Sequence, residues 1–303
     1  MELGMIGLGK MGGFMVERLV RGGHRIIGLD RDPAAVARVV EKGATGAESI
    51  DKLIGQLKAP RAIWIMVPSG KPVDDTIDQL LPHLSPGDAI IDGGNSYYRD
   101  SVRRGAALAP TKINFVDCGT SGGVWGLTEG YSMMVGGDAE VVKRLAPIFQ
   151  TLAPGPEKGW GRVGPTGAGH YVKMVHNGIE YAIMQAYAEG LDLFRHKTEF
   201  GLDLLQITKI WQYGSVVRSW LLDLTVDALS KNPTLDGIEA FVTDSGEGRW
   251  TAMEGIEHGV PLPALTGALD ARFRSQDPQP FANKLLAMMR HEFGGHAVKT
   301  ATK

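Results

Sequence analysis

The sequence has almost no cysteine and no long hydrophobic run. Cys118 is the single cysteine in 303 residues, so an intrachain disulfide is excluded, which suits a reducing compartment. No apolar stretch approaches the roughly 20 residues that span a bilayer, and no secretory leader pattern precedes the first predicted strand. We therefore expect a cytoplasmic protein with no membrane contact, in which Cys118 is a small buried thiol rather than a nucleophile.

The sequence also lacks an excess of charge of either sign. Lys and Arg number 32 and Asp and Glu number 34, which gives a net charge of −2. Without a basic field, nucleic acid is not an expected partner. The hydrophobic content of 43% is enough for a substantial core, and the length suits two domains.

A glycine motif stands between an apolar run and an amphipathic run near residue 10. Residues 3–6 are predicted as a strand, Gly7-Leu8-Gly9-Lys10-Met11-Gly12 follows, and residues 14–20 have helical periodicity. In this context Gly-x-Gly-x-x-Gly is typical of a dinucleotide-binding loop, because the glycines allow a tight turn and close approach of a pyrophosphate to the helix N-terminus. A glycine-rich turn in another type of α/β protein is the alternative. We expect the dinucleotide to contact Gly7, Leu8, Gly9, Met11, Gly12, Asp30, Arg31, Val67 and Asn95.

Asp30 bears on the choice of dinucleotide. The predicted strand at 25–29 brings it to the carboxyl edge of the sheet, where a carboxylate can accept both ribose hydroxyls of NAD and repel the 2′-phosphate of NADP. Asp32 adds a second negative charge, whereas Arg31 can hold a 2′-phosphate. NAD is the expected cofactor, and NADP remains possible.

Short apolar runs alternate with helical patterns up to about residue 137. The predicted strands are 3–6, 25–29, 62–67, 89–92, 115–117 and 132–135, and the predicted crossover helices include 36–40, 73–84 and 101–109. This alternation predicts an α/β fold with a Rossmann-type, doubly wound, mostly parallel sheet. Ligands bind beyond the carboxyl ends of such strands, where glycine-rich loops follow at 68–70, 93–96 and 119–123.

The second half has a different character. The predicted helices there are 171–195, 202–211, 220–230, 237–241, 250–258, 263–273 and 281–291. We therefore predict a dinucleotide-binding domain at 1–163 and an all-helical substrate and oligomerisation domain at 164–303, which includes a C-terminal tail.

The first of these helices has an unusual face. At roughly 100° per residue, one face about 140° wide carries a base, an acid, an amide and two ring donors: Lys173, Glu180, Asn177, His176 and Tyr181. Val172, Val175 and Ile179 lie on another side. A solvated face with a Lys–Glu pair is the alternative to an active site. Lys173 and Glu180 lie roughly 10 Å apart along the axis, so both can reach one short carbon chain.

These motifs together resemble the decarboxylating 6-phosphogluconate dehydrogenases, of the shorter type with one undoubled helical domain, within the β-hydroxyacid dehydrogenase superfamily. The resemblance extends from the glycine motif to the tail, and its most specific part is the run from Gly167 to Tyr181. It includes Asp92-Gly93-Gly94-Asn95-Ser96, Ser121-Gly122-Gly123 and Arg290-His291-Glu292-Phe293-Gly294-Gly295-His296.

The resemblance implies oxidation and decarboxylation of 6-phosphogluconate to ribulose 5-phosphate in the pentose phosphate pathway, without a metal. Lys173 would take the proton of the C3 hydroxyl, which requires a lowered pKa, and Glu180 would protonate C1 after carbon dioxide leaves. Asn95, Ser121, Gly122, Gly123, His176 and Asn177 would hold the sugar acid. Tyr181, Arg272, Arg290 and His296 would hold its phosphate or tail end, where arginine can pair bidentately.

The sequence departs from the family pattern at three places. Asp30-Arg31-Asp32 replaces the Asn-Arg-Thr of the longer enzymes, which favours NAD. The loop at 244–251 has no clear counterpart of the phosphate-binding lysine, and Arg249 is the candidate to compensate. Val124 replaces a glutamate after Ser121-Gly122-Gly123, so a carboxylate of the substrate loop is missing.

Two other functions remain as alternatives. A β-hydroxyacid dehydrogenase acting on hydroxyisobutyrate or tartronate semialdehyde would share the glycine motif and the lysine helix, but not Glu180 with Tyr181 or the tail. A catalytically dead nucleotide sensor would not need Lys173. We also expect a dimer or tetramer, in which the tail completes a neighbour's site and apolar helices such as 220–229 find a partner.

Overall fold

The computed structural model describes residues 1–300, and the chain forms two compact units that divide between His176 and Asn177. The predicted boundary at 163/164 falls at the last residue of the strand Trp160–Gly164, whereas the division of the compact units falls within the helix Ala168–His196.

The first unit contains an eight-stranded sheet in the order β3-β2-β1-β4-β5-β6-β7-β8. Only the β6–β7 pair is antiparallel, so the prediction of a mostly parallel doubly wound sheet is confirmed. The strands are β1 Glu2–Ile6, β2 Arg25–Leu29, β3 Thr45–Gly46, β4 Ala62–Ile65, β5 Ala89–Asp92, β6 Asn114–Ser121, β7 Ser132–Gly136 and β8 Trp160–Gly164.

Helices cover both faces of this sheet. They are α1 Lys10–Arg21, α2 Pro33–Val40, α3 Ile50–Gly55, α4 Lys71–Leu80, α5 Tyr98–Leu108, α6 Gly126–Glu129 and α7 Ala139–Leu152. Polar side chains start several of them, because they accept from free N–H groups of the first turn. Asp32 accepts from the Ala34 amide at 2.9 Å, Ser49 from that of Lys52 at 3.2 Å, and Asp138 from that of Glu140 at 3.0 Å.

The core lies between sheet and helices as two clusters. β4 and β5 are buried along their whole length, as expected of central parallel strands. Trp64 and Phe149 belong to one cluster, and Ile63, Ile65 and Ile90 belong to the other. This packing fixes the strand ends, and with them the loops that follow.

The second unit continues from the long helix α8, Ala168–His196, into five further helices. These are α9 Leu204–Trp211, α10 Trp220–Lys231, α11 Glu247–His258, α12 Pro263–Gln276 and α13 Phe281–Gly294. The prediction of a helix at 237–241 is wrong. Leu235 has a positive φ of 57° and the Asn232 side chain donates to the Asp236 carbonyl at 3.0 Å, so this segment is a series of turns.

α10 and α13 differ in how many of their residues are buried. On α10, Leu222, Val226 and Leu229 are buried within the chain, whereas Trp220 and Leu224 are 47% and 37% exposed, so a partner surface for this helix stays a prediction. By contrast, α13 buries none of its residues. Over residues 1–300, no helix is both long and apolar enough to cross a membrane.

Candidate active site

The glycine loop forms one wall of a cleft of about 1020 Å³ at the carboxyl edge of the sheet. A Cβ on Gly12 would lie 2.0 Å from the Gly7 carbonyl oxygen, so only glycine lets α1 begin this close to the loop. A Cβ on Gly9 would meet no heavy atom within 4 Å, and Gly9 lines the cleft. The loop therefore leaves room for a ligand against its backbone.

Asp30 is fixed at the same edge. Its carboxylate accepts from the Leu8 amide at 2.5 Å and from the Asp32 amide at 2.9 Å. The cleft is lined by Gly7, Gly9, Asp30, Arg31 and Val67 from the predicted set, which fits a dinucleotide. Leu8, Met11, Gly12 and Asn95 are not among its lining residues. Residues 47–51 also line the cleft, and the sequence did not predict this. Its only local signal in this segment is Ser49, which caps the N-terminus of α3.

Asp117 anchors the first turn of α8 to the sheet. It is fully buried at the end of the parallel part of β6, and its carboxylate accepts from the amides of Gly167 at 2.6 Å and His170 at 2.8 Å. A carboxylate here satisfies two of the free N–H groups and complements the helix dipole. The start of α8 is therefore fixed relative to β6.

Gly119 allows Lys173 to lie directly against this strand. A Cβ on Gly119 would fall 2.3 Å from the Cβ of Lys173 and 2.8 Å from the Gly169 carbonyl oxygen. Lys173 is only 7% exposed, and its Nζ lies 3.5 Å from Nδ1 of His176. The lysine backbone is thus held by a close contact that no larger residue at position 119 permits.

The pattern of burial on α8 is the reverse of that on an ordinary surface helix, because polar side chains are buried and apolar side chains are exposed. Lys173 and Asn177 are buried, whereas the apolar Val172 and Ile179 are exposed, Ile179 by 55%. Lysine and asparagine are rarely buried without a specific role. This arrangement favours the active-site interpretation of the polar face over a solvated Lys–Glu pair.

In the second unit, Tyr181 and Arg272 come together. The Arg272 guanidinium carbon lies 3.6 Å from the centre of the Tyr181 ring, and Arg272 also donates to the Thr243 carbonyl at 3.0 Å. Ser245 contacts the Tyr181 hydroxyl through its own hydroxyl at 3.2 Å and its amide at 3.3 Å. Sequence reasoning missed Ser245 and Glu247, whose buried carboxylate accepts from the Ser245 hydroxyl at 2.6 Å.

Arg249, the candidate to replace the missing lysine, is engaged elsewhere. Its Nε donates to the buried Asp244 carboxylate at 2.5 Å, and its guanidinium lies over the Phe273 ring. Among the described residues, Ser245 rather than Arg249 contacts the hydroxyl of Tyr181.

Arg290 and His296 are exposed at the end of α13 and just beyond it. Over residues 1–300, the hydrogen bonds and ion pairs include none that joins either side chain to Tyr181 or Arg272. On the same helix Phe281 is 74% and Phe293 90% exposed. The fold of one chain thus leaves this apolar helix uncovered.

The two loops of the first unit differ in the exposure of their proposed ligands: Asn95 is exposed and Ser121 is half-buried. Asn95 is exposed after the buried Asp92, and Ser121 ends β6. Gly122 follows with a φ of 127° and Gly123 with 52°. Val124 and Trp125, which follow in place of the family's carboxylate, are about half exposed.

Cys118 is buried beside Asp117, and burial raises the pKa of its thiol to about 12. The thiol is therefore protonated at neutral pH, which fits the expectation that Cys118 is a buried thiol rather than a nucleophile. Within residues 1–300, no group of three or more His, Cys, Asp or Glu side chains is arranged to hold a metal ion.

Comparison of the chain with known protein families shows the family to which it belongs. Residues 2–163 match the NAD binding domain of 6-phosphogluconate dehydrogenase, and residues 169–301 match the C-terminal domain of the same enzyme. The chain belongs to the 6-phosphogluconate dehydrogenase family. The predicted resemblance is thereby confirmed over nearly the whole chain.

Relatives within the 6-phosphogluconate dehydrogenase family include enzymes of the same length. The chain is 42% identical over 299 residues to the NAD(+)-dependent, decarboxylating 6-phosphogluconate dehydrogenase of Haloferax volcanii, with 98% of each chain covered. It is 39% identical over 299 residues to a putative 6-phosphogluconate dehydrogenase of Bacillus subtilis, with 99% of each covered.

Among solved structures, Plasmodium falciparum 6-phosphogluconate dehydrogenase, studied with NADP+ and with 6-phosphogluconate, superimposes with a TM-score of 0.84 at 29% identity. The match covers all of this chain and 67% of that one. The predicted combination of a Rossmann-type domain with a helical domain is therefore confirmed as that of 6-phosphogluconate dehydrogenase.

Proposed function

We propose that this chain oxidises and decarboxylates 6-phosphogluconate to ribulose 5-phosphate with reduction of NAD(P). The buried polar face of α8, with Lys173 held against Gly119, carries the proposal, because lysine and asparagine are costly to bury and are rarely buried without a specific role. Membership of the 6-phosphogluconate dehydrogenase family supports it.

Lys173 is the proposed general base for the first step. When bound, NAD(P) supplies the nicotinamide ring that accepts hydride from C3. Neutral Lys173 takes the proton of the C3 hydroxyl, which leaves a ketone β to the carboxylate. Burial is the physical factor that lowers the pKa of an amine towards the operating pH.

Glu180 is the proposed acid for the last step. The bond between the carboxylate carbon and C2 breaks as carbon dioxide leaves, and its electrons pass to the C3 ketone to give an enediol. Glu180 then delivers its proton to the former C2, which is C1 of the enediol, and a C–H bond forms there. The electron sink is the ketone itself, so the step requires no metal. His176 and Asn177, on the same face of α8, would hold the sugar acid with Asn95, Ser121, Gly122 and Gly123.

Tyr181 and Arg272 are the proposed phosphate ligands of the second unit. Their contact at 3.6 Å is supported by the Ser245 hydrogen bonds, so their groups are pre-organised. Ser245 contributes a hydroxyl beside Tyr181, and Arg272 supplies the positive charge for the phosphate.

Initial rates with 6-phosphogluconate test the reaction, with ribulose 5-phosphate identified as the product. Hydroxyisobutyrate and tartronate semialdehyde are the comparison substrates. Turnover of 6-phosphogluconate in preference to both supports the proposal. Turnover of either comparison substrate alone would favour the β-hydroxyacid dehydrogenase alternative, and binding of NAD without any turnover would favour the nucleotide sensor.

We further propose that NAD is preferred over NADP. The Asp30 carboxylate is held at the cleft by two backbone amides, where it can accept ribose hydroxyls and would repel a 2′-phosphate. Asp32, which caps α2, adds a second carboxylate near Asp30; it also lies 3.7 Å from Arg38. kcat/KM should be higher with NAD, and Asp30→Asn should shift the preference towards NADP through Arg31. A wild-type preference for NADP would contradict the assignment.

The third proposal is a dimer or tetramer in which the tail of one subunit completes a neighbour's site. The exposed apolar side chains of α13 support it, because a surface of this kind is usually covered. Inactive Lys173→Met and inactive Arg290→Ala subunits, unfolded and refolded together, should regain activity, because one site of the hybrid has both residues intact. Verified hybrids without activity would show that the tail does not act in trans.

A further inference from the structure

One face of α5 is buried and polar. Ser101 is fully buried and Arg104 is 2% exposed, whereas the side chain of the adjacent Arg103 is 55% exposed. A buried arginine is rare unless charged groups surround it. Sequence reasoning assigned Arg104 no role, because its neighbours come from distant parts of the chain.

Arg104 holds three separate groups with its guanidinium. NH1 donates to the Asp92 carboxylate at 3.3 Å, Nε to the Asp74 carboxylate at 2.8 Å, and NH2 to the Gly70 carbonyl at 3.0 Å. The planar fork of arginine suits this arrangement, because its donors have fixed relative directions. One side chain therefore ties α5 to the segments after β4 and β5.

On one side, Arg104 secures the Asn95 loop, residues 92–96. Asp92 is fully buried, and its carboxylate also accepts from the Ser96 hydroxyl at 2.8 Å and the Gly94 amide at 3.2 Å. These bonds close the loop around the carboxylate and leave Asn95 exposed at its tip. The direction of Asn95 thus depends on the Asp92–Arg104 pair.

On the other side, Arg104 secures residues 66–70, the cleft loop. Met66, Val67 and Pro68 line the cleft assigned to the dinucleotide, and Gly70 ends the loop at the start of α4. Asp74 in the first turn of α4 is bound by the same guanidinium. Arg104 therefore links a loop assigned to the substrate to a loop that borders the cofactor cleft.

The same face of α5 also contacts the start of α8. The Ser101 hydroxyl lies 2.7 Å from Nδ1 of His170, one turn before Lys173. The rings of Tyr98 and Tyr171 meet edge to face with centroids 5.0 Å apart. α5 is thus in contact with the Asn95 loop, the cleft loop and the start of α8.

We propose that Arg104 is a positioning residue that sets Asn95 relative to the cofactor cleft. The proposal rests on the proposed function, since it takes Asn95 to bind the sugar acid. Misplacing a substrate-binding group by about 1 Å can reduce the rate by up to two orders of magnitude. A change at Arg104 can therefore slow the reaction although Arg104 itself does not contact the substrate. Arg104 therefore acts through Asn95 and not on the reacting atoms.

Arg104→Lys is the test variant, because it keeps the buried charge but cannot reach Asp92, Asp74 and Gly70 together. Arg103→Lys is the matched control, since Arg103 also donates to Asp74, at 3.0 Å, but not to Asp92. We expect Arg104→Lys to lower kcat/KM for 6-phosphogluconate about tenfold or more, and Arg103→Lys to leave it unchanged.

A double-mutant cycle with Asn95→Ala separates positioning from general stability. In the Asn95→Ala background, Arg104→Lys should cause little further loss, because its effect passes through Asn95. The kinetic isotope effect of substrate deuterated at C3 should also rise in Arg104→Lys, since misalignment slows the hydride step. Both readouts are insensitive to a merely lower melting temperature.

Equal losses from Arg104→Lys with and without Asn95→Ala, or wild-type activity of Arg104→Lys, would overturn the inference. Wild-type activity of Asn95→Ala would instead contradict the proposed role of Asn95 and the inference about Arg104 with it, while the proposed reaction would stand; the failure of the reaction itself would appear as absence of turnover in the wild-type enzyme. If Arg104→Lys does not fold, Asp74→Asn is the substitute variant, because it weakens the bond from Arg104 to the more exposed of its two carboxylate partners. The same double-mutant cycle then applies, with a smaller expected loss.

Discussion

Gly119→Ala tests how closely the position of Lys173 depends on the sheet. The new Cβ would lie 2.3 Å from the Lys173 Cβ and 3.1 Å from its Cγ. Because carbon atoms in contact are ordinarily about 3.5–4.0 Å apart, the first turn of α8 must move away by roughly 1.2 Å or more. The Asp117 bonds to the Gly167 and His170 amides resist this movement.

A displacement of this size should affect the rate more than the fold. We expect kcat for 6-phosphogluconate to fall on the order of 10–100-fold, with a loss of about 1–3 kcal/mol in the free energy of unfolding from overpacking. The binding of NADH, followed by its fluorescence, should not change, because Gly119 does not line the cleft. Initial rates and chemical denaturation measure the two effects.

Gly161→Ala is the matched control. Gly161 also lies in a strand, β8, but a Cβ there would meet no heavy atom within 4 Å, so kcat should stay at the wild-type value. Wild-type kcat in Gly119→Ala would refute the reasoning, since Lys173 would then tolerate a displaced backbone. Equal losses in both variants would also refute it.

Three further predictions concern single side chains. Lys173→Met should reduce kcat by about 10²–10⁴-fold, the usual effect of losing a general base, with NAD binding retained in a fluorescence titration; normal turnover would contradict the assignment. Glu180→Gln should slow formation of ribulose 5-phosphate more than it weakens cofactor binding, and wild-type product formation would argue against an acid at this position. The buried Cys118 thiol, whose pKa is raised to about 12, should not react with a thiol reagent at pH 8 in the folded protein and should react once guanidinium unfolds it; rapid reaction of the native protein would show that Cys118 is accessible.

Much of the first unit could be predicted because its signals are local. Buried parallel strands such as β4 and β5 appear as uninterrupted apolar runs, and the glycine motif has a fixed relation to β1 and α1. Several elements were missed where that signal is weak. β3 has two residues, β8 contains two glycines and an arginine, and α7 contains Pro147, a residue that disfavours the interior of a helix.

The common face of the proposed site residues on α8 could be predicted, but not the contacts that hold them. The 3.6-residue period places Lys173 and Asn177 on one face, so their common direction follows from the sequence alone. The anchors are distant along the chain: Asp117 is about 50 residues from α8's first turn, and Ser245 is 64 residues from Tyr181. Such contacts depend on tertiary packing, which local patterns do not encode.

The fate of the carboxylate tests the central claim most directly. Substrate carrying ¹³C in the carboxylate of 6-phosphogluconate would be converted with NAD, with NADH followed by absorbance and labelled carbon dioxide by mass spectrometry. Oxidative decarboxylation predicts one labelled carbon dioxide for each NADH, together with unlabelled ribulose 5-phosphate. NADH formed without labelled carbon dioxide, with the label retained in a keto acid, would contradict it.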